Sequence, residues 1–154
     1  MSEPRISKMV LTDMWDGKTC KIVGQIAIAF AQLEHVLWLS PKRIKNQNYS
    51  VWEAIAGIEP VPTRCQQIRD AYAIMQMDQE KEASLESLLR AVVDLNEKRN
   101  GILHARWGAK KYKGVVKSWH RIWKNHDRGI DIADLTKLRD DIRKLRDQLA
   151  RYAW

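Results

Sequence analysis

The C-terminal segment carries the pattern that most restricts how this chain can fold. From Asp131 onwards, apolar residues recur at alternating steps of three and four, which is the spacing of one helix face. These residues are Leu135, Leu138, Ile142, Leu145, Leu149 and Tyr152. An apolar helix face has to be buried against another element. The seam covers little more than two heptads, so we expect it to pack within its own domain, with pairing to a second copy as the alternative.

Helical spacing also marks the N-terminal part of the chain. Apolar residues recur there at steps of four, four, three and four: Ile22, Ile26, Phe30, Leu33 and Leu37. Ser40-Pro41 is predicted to end this first helix, because proline removes a backbone donor. Further along, Ser50 and Glu53 have the spacing of a capping box, which predicts a short second helix that stops at Gly57.

Two more helices are predicted after a proline-rich connector, Pro60-Val61-Pro62, which should lie outside regular helix. The third helix is expected over residues 63–77 and the fourth begins at Asp78, a good capping residue. The third places Cys65, Ile68, Tyr72 and Met75 on one side, and the fourth has the stripe Leu85, Leu88, Val92 and Leu95. The sequence therefore predicts a single all-α domain, residues 1–154, built as a bundle of four to five helices.

The positive charge of the chain is concentrated in residues 98–128. This segment holds ten Lys or Arg and one Asp, a net +9, so the other 123 residues sum to −1 within the total of +8. A concentrated basic patch is typical of proteins that bind a polyanion. A solvated, lysine-rich loop is the alternative. Within the segment, residues 105–112 and 115–123 could form a small β-hairpin between the last two helices, although a helix around Trp119 fits equally well.

The end of the fourth helix departs from its own apolar pattern. Extending the stripe by one heptad leads to Arg99, a charged residue where burial is expected. A buried guanidinium needs a partner or a function. Glu34 of the first helix could neutralise Arg99, although a surface position for Glu34 is the simpler alternative. Asn100 and His104 are four residues apart and share a helix face, and Gly101 between them lets another backbone approach.

The stretch Arg99-Asn100-Gly101-Ile102-Leu103-His104 resembles the R-x4-6-H motif of the HEPN domain family, in which a polar residue, often Asn, follows the arginine. The downstream Trp107 is similar to the H-G-x-W stretch of small members of that family. The bare spacing has little specificity, since residues 121–126 contain it as well. The asparagine, the long preceding helix and the basic segment that follows distinguish the first copy from the second.

The resemblance implies a metal-independent endoribonuclease with Arg99, Asn100 and His104 as its catalytic residues. RNA is cleaved when its 2′-OH attacks the adjacent phosphate, which requires a base, an acid and a cation. His104 can serve as acid or base near neutral pH. Arg99 can stabilise the developing charge, and Asn100 can orient the imidazole or bind phosphate. We expect no metal and no other cofactor, since the sequence shows no carboxylate cluster near these residues.

A homodimer is expected for two reasons. Arg99 and His104 are five residues apart, about 140° around an ideal helix, and one histidine is short of an acid–base pair. Two copies that meet at a two-fold axis would ease both problems, and the resemblance implies the same, because HEPN ribonucleases are typically dimers with a composite site. It also opens a role as a toxin or defence component with an antitoxin partner. Some toxin members carry a modifiable Tyr where this chain has Arg106, which speaks against that form of regulation.

Four basic residues are the candidate contacts to RNA phosphates: Arg106, Lys110, Lys111 and Lys113. The alternative function is a non-catalytic helical protein, in which Arg99 and His104 hold a dimer interface or bind nucleic acid without cleaving it. The longest uninterrupted apolar run, residues 26–31, is too short to cross a bilayer, so we expect a cytoplasmic protein with no membrane partner. Cys20 and Cys65 lack the spacing of a zinc site and are expected to be small buried hydrophobes.

Overall fold

The computed structural model describes residues 10–11, 17–45, 59–74, 78–112, 115–123, 126–129 and 131–152, of which 10–11, 40–45, 106–112, 115–123 and 126–128 are described by their backbone alone. Four helices lie within these ranges: α1 (Gly17–Lys45), α2 (Val61–Ile74), α3 (Gln79–Leu103) and α4 (Ile132–Arg151). They form a bundle in which α1 packs against each of the other three. The all-α prediction is therefore confirmed for the bundle, while the short helix predicted at residues 50–57 lies outside the described residues.

The seam of α4 is buried inside the bundle, as predicted. Its residues from Leu135 to Leu149 are at most 8% exposed, and Tyr152 packs at the edge of the core. Two hydrogen bonds fix the register of α4 on α1: Arg139 Nη1 donates to Gln25 Oε1 at 2.8 Å, and Arg146 Nη1 donates to Gln32 Oε1 at 2.5 Å. Both contacts advance by one heptad along both helices, so α1 and α4 run in the same direction.

Two helix boundaries differ from the prediction. Helix α1 continues to Lys45, past Ser40-Pro41, because a proline inside a helix removes one hydrogen bond and can bend the helix without ending it. Helix α2 begins at Val61, so the connector prediction for Pro62 was wrong. The Arg64 N–H donates to the carbonyl of Pro60 at 3.1 Å, and Pro62 sits in the first turn, where its missing N–H is not needed.

Helix α3 is the element that carries the candidate site. The Asp78 side chain caps its N-terminus by accepting from the Glu80 N–H at 3.2 Å, which confirms that prediction. The buried face contains Leu89, which is fully buried, whereas the predicted Leu88 is only partly buried against the core. Only this one position of the predicted stripe changes, because Leu88 and Leu89 both lie three or four residues from Leu85 and Val92.

Outside the bundle, the backbone forms four short strands: β1 (Val10–Leu11), β2 (Arg106–Tyr112), β3 (Val115–Trp123) and β4 (His126–Gly129). They pair antiparallel in the order β1-β2-β3-β4, with Ala109 opposite Trp119 and a register shift between Lys110 and Lys111. β2 begins at Arg106, three residues after the end of α3, while β1 precedes α1.

Candidate functional site

The candidate site lies where α3 ends. Leu103 is the last helical residue and His104 is the C-cap, with its backbone N–H donating to the Asn100 carbonyl at 3.0 Å. Gly101 and Ile102, in the last turn, are buried. One side of this turn is thus anchored in the bundle, and the chain leaves it directly into β2. The His104 side chain is exposed at this exit.

Arg99 is half-buried, and its guanidinium lies over an aromatic ring of α1. Its Cζ is 4.8 Å from the centroid of the Phe30 ring, a cation–π geometry, and Phe30 itself is fully buried. On its other side, Arg99 Nη1 donates to Asn100 Oδ1 at 2.8 Å. Arg99 Nε is buried and has no hydrogen-bond partner among the described residues. The guanidinium is therefore held by a ring and an amide, neither of which neutralises its charge.

Of the two alternatives for Glu34, the pairing with Arg99 is not present. Glu34 is partly exposed on α1, and no ion pair joins it to Arg99 in the part of the chain that the structure describes. The Phe30 ring, not a carboxylate, contacts the Arg99 guanidinium from α1. His35, one residue further along, is an exposed helix-surface residue that stacks on Trp38 with ring centroids 5.8 Å apart.

Sequence reasoning missed Asn96. This side chain is 9% exposed, which is unusual burial for an amide, and it lies one turn before the motif. It precedes Arg99 by three residues and Asn100 by four, so the three side chains share one side of α3. A polar residue at a core-facing position of the apolar stripe was the signal that could have found it. The last turns of α3 therefore carry a polar group of Asn96, Arg99 and Asn100, with His104 at the exit.

The candidate phosphate contacts lie beyond this turn. Arg106, Lys110 and Lys111 belong to β2, with Arg106 paired to Ile122 and Lys110 to Ser118 along the backbone. The placement of these three side chains, and the whole of Lys113, lie outside what the structure describes. The backbone therefore brings the basic segment to the exit of α3, and the contacts of its side chains stay predictions.

Towards the start of α3, charged side chains of opposite sign are paired with each other. Glu86 accepts from Arg69 Nε of α2 at 2.5 Å and from Arg90 Nε at 2.7 Å. The hydrogen bonds from Arg69 and then from Arg90 hold the pKa of the Glu86 carboxyl below its ordinary value of 4.5. A cleft of about 490 Å³ opens beside this cluster, lined by Arg69, Tyr72, Glu82 and Glu86 among others. It lies beside the first turns of α3, whereas Arg99 lies towards the other end of that helix.

The two cysteines differ in their surroundings. Cys65 is fully buried, as predicted, and burial raises the pKa of its thiol to about 11. Cys20 is exposed on α1, so the prediction that it is buried was wrong; its neighbour Thr19 is the buried residue there. No group of three His, Cys, Asp or Glu side chains suited to a metal ion occurs among the described residues.

Comparison of the chain with protein-family models, with curated proteins and with solved structures finds no match. The HEPN resemblance therefore stays a prediction from residues 99–107. Within the described residues, Gly17–Leu39 of α1 is long and apolar enough to cross a membrane by length and composition alone. One face of that helix lies in the core of the bundle, and the core helices of other proteins have the same length and composition. The finding is therefore only weak support for a membrane-spanning helix.

Proposed function

We propose that this chain is a metal-independent endoribonuclease with Arg99, Asn100 and His104 as its catalytic residues. The observation that carries the proposal is the state of Arg99: a half-buried guanidinium at the end of α3, with no carboxylate partner among the described residues, one turn from an exposed histidine. A cation kept without a counter-ion in a partly desolvated place is suited to an anionic ligand. The basic segment that follows supports RNA as that ligand.

The proposed reaction uses the nucleophile that RNA itself provides. A base removes the proton of the 2′-OH, the 2′ oxygen forms a bond to the adjacent phosphorus, and the bond from phosphorus to the 5′ oxygen breaks. An acid protonates the leaving 5′ oxygen. Arg99 stabilises the charge on the phosphorane, and His104 supplies one of the two proton-transfer groups. In the proposed homodimer, His104 of the second copy supplies the other, so the site is composite.

The hairpin between α3 and α4 belongs to this proposal as the carrier of phosphate contacts. Arg106, Lys110 and Lys111 are spaced along β2, directly after His104. Contacts of this kind hold the RNA backbone by charge and carry no sequence preference. The proposal also includes a cytoplasmic protein of toxin or defence type that an antitoxin protein would restrain, which rests on the family resemblance of residues 99–107.

The test is an RNA cleavage assay with EDTA present, on the full chain and on His104→Ala. We expect the wild-type protein to leave products that end in a 2′,3′-cyclic phosphate, and His104→Ala to lose cleavage while it keeps its fold. His35→Ala is the matched control, because His35 is also an exposed helix-surface histidine but lies on α1. An RNA with 2′-O-methyl groups should resist cleavage, since its nucleophile is blocked. Cleavage that survives His104→Ala would refute the proposal.

One observation favours a second candidate function. Because Arg99 packs on Phe30, its role could be to hold α3 against α1 in a helical protein that binds nucleic acid or a second copy without cleaving RNA. The same assay separates the two functions. Tight, salt-dependent binding of RNA with no cleavage by the wild-type protein favours the non-catalytic function, as does loss of the dimer when Arg99 and His104 are both replaced by alanine.

A further inference from the structure

The contact between Arg99 and Phe30 joins the candidate site to the centre of the bundle. Phe30 is 0% exposed and lies in a stretch of α1, residues 22–33, that contains no charged residue. The Arg99 guanidinium reaches this ring from α3 at 4.8 Å. The face of an aromatic ring attracts a cation without neutralising it. The contact can therefore fix the guanidinium in space while leaving its charge available to an anion.

Two neighbours restrict the guanidinium from different directions. The guanidinium lies over the Phe30 ring, and Asn100 Oδ1 accepts a hydrogen bond from Nη1 at 2.8 Å. Arg99 Nε is buried, so RNA cannot reach that edge. Because Nη1 already donates to Asn100, Nη2 is the nitrogen that is left for a ligand. A long, flexible side chain is thus held in one orientation before a ligand arrives.

We infer that Phe30 is a positioning residue, whose ring holds Arg99 with Nη2 towards an RNA phosphate. The inference rests on the proposed function of Arg99 and names a residue on another helix that the function depends on. Phe30 touches no substrate and acts only through Arg99. Weakening the ring's attraction for a cation should therefore lower kcat more than it changes KM, because the charge that Arg99 stabilises develops in the transition state.

The chain offers a direct experiment, because Phe30 is its only phenylalanine. Replacing all phenylalanine by 4-fluoro-, 3,5-difluoro- and 3,4,5-trifluorophenylalanine during expression therefore changes this ring alone. Each fluorine withdraws charge from the ring face and alters its shape little. We expect kcat for RNA cleavage to fall stepwise along the series, by about 2-fold to 30-fold at the trifluoro ring, which corresponds to the usual range of cation–π energies.

The control is the same series in an Arg99→Ala background. Any residual activity there should not depend on fluorination, since the cation that senses the ring is gone, whereas a purely packing role of Phe30 would give the same dependence in both backgrounds. The ¹⁹F resonance of the labelled ring should also shift between the wild-type protein and Arg99→Ala. Equal kcat along the series in the wild-type background, with Arg99→Ala inactive, would overturn the inference and leave the proposed function standing.

A different result would count against the proposed function alone. If the wild-type protein cleaves no RNA, the ribonuclease proposal fails, and the role of Phe30 is then decided by binding of a 2′-O-methyl RNA. A ¹⁹F shift on addition of this RNA that disappears in Arg99→Ala, together with weaker binding along the fluorine series, supports the positioning role. An unchanged resonance and constant affinity overturn it.

Discussion

Two partly buried arginines lie at α3, and they are held in different ways. Arg69 of α2 contacts α3 towards its start, and Arg99 belongs to α3 near its end. Near the start, Arg69 of α2 is hydrogen-bonded to Glu86, with side chains that are 28% and 34% exposed. Near the end, Arg99 is also half-buried, but it is held by the Phe30 ring and the Asn100 amide. The first arrangement neutralises the charge and ties α2 to α3. The second retains a net positive charge in a partly desolvated place, which stability alone does not favour.

The difference suggests that one arginine serves the fold and the other serves a ligand. Removing a residue that serves the fold lowers the free energy of unfolding, whereas removing one kept for a ligand can leave stability unchanged or raise it. The buried, unpartnered Nε of Arg99 fits the second case. Substitutions at Arg99 and Arg69 should therefore have different effects on cleavage and on stability.

The largest expected effect is on cleavage by two matched variants, Arg99→Met and Arg69→Met. Methionine keeps much of the length and apolar surface of arginine and removes the charge. We expect Arg99→Met to lower kcat about 100-fold or more, the size typical of a lost transition-state donor. Arg69→Met should keep cleavage near wild type and lower the free energy of unfolding by up to about 1 kcal/mol. Cleavage rates and urea unfolding curves measure both; equal loss of cleavage in the two variants would abolish the distinction.

Much of this framework could be predicted from the sequence, because the apolar spacing repeats over many turns. The seam from Leu135 to Leu149 is buried as expected, and the cap at Asp78 forms as its side chain predicts. A cap depends only on residues close in the chain. A long apolar stripe predicts the buried face of a helix even where one of its positions is misassigned. The choice between Leu88 and Leu89 escaped prediction, since it depends on how α3 is rotated against its neighbours.

The surroundings of Arg99 were harder to predict. The sequence identified it as a charge at a core position and offered Glu34 only as a possible partner, with a surface position for Glu34 as the simpler alternative. The structure provides Phe30, four residues earlier on α1. The crossing angle of the two helices decides which residue of α1 contacts Arg99. The spacing of residues along one helix carries no information about that angle. Asn96 was missed for a related reason: its burial follows from packing against its own bundle and not from its polarity.

A smaller effect, which depends on pH, is expected from Glu86→Gln at the charge-paired end. The pKa of Glu86 is lowered in the folded chain, so its contribution is present above the ordinary carboxyl pKa of 4.5 and is lost as the pH falls through the lowered value. We expect Glu86→Gln to lower the free energy of unfolding by up to about 1 kcal/mol at pH 7, and by progressively less as the pH falls below 4.5. Asp94→Asn is the control, because Asp94 is an exposed carboxylate in mid-helix. A difference from wild type that stays constant from pH 7 to well below 4.5 would show that the carboxylate charge is not the cause.

The smallest effect is expected at the C-cap of α3, and the N-cap of the same helix is the reference for it. The Asp78 side chain accepts from the Glu80 N–H, so Asp78→Ala should cost about 1 kcal/mol of unfolding free energy, the usual loss for an N-cap. At the other end, the hydrogen bond of the cap comes from the backbone N–H of His104, which alanine keeps, and the side chain is exposed. His104→Ala should therefore change stability by less than about 0.5 kcal/mol. Thermal or urea unfolding of both variants measures this. A loss at His104 as large as that at Asp78 would mean that the histidine stabilises the end of the helix, and its effect on RNA cleavage could then no longer be attributed to proton transfer.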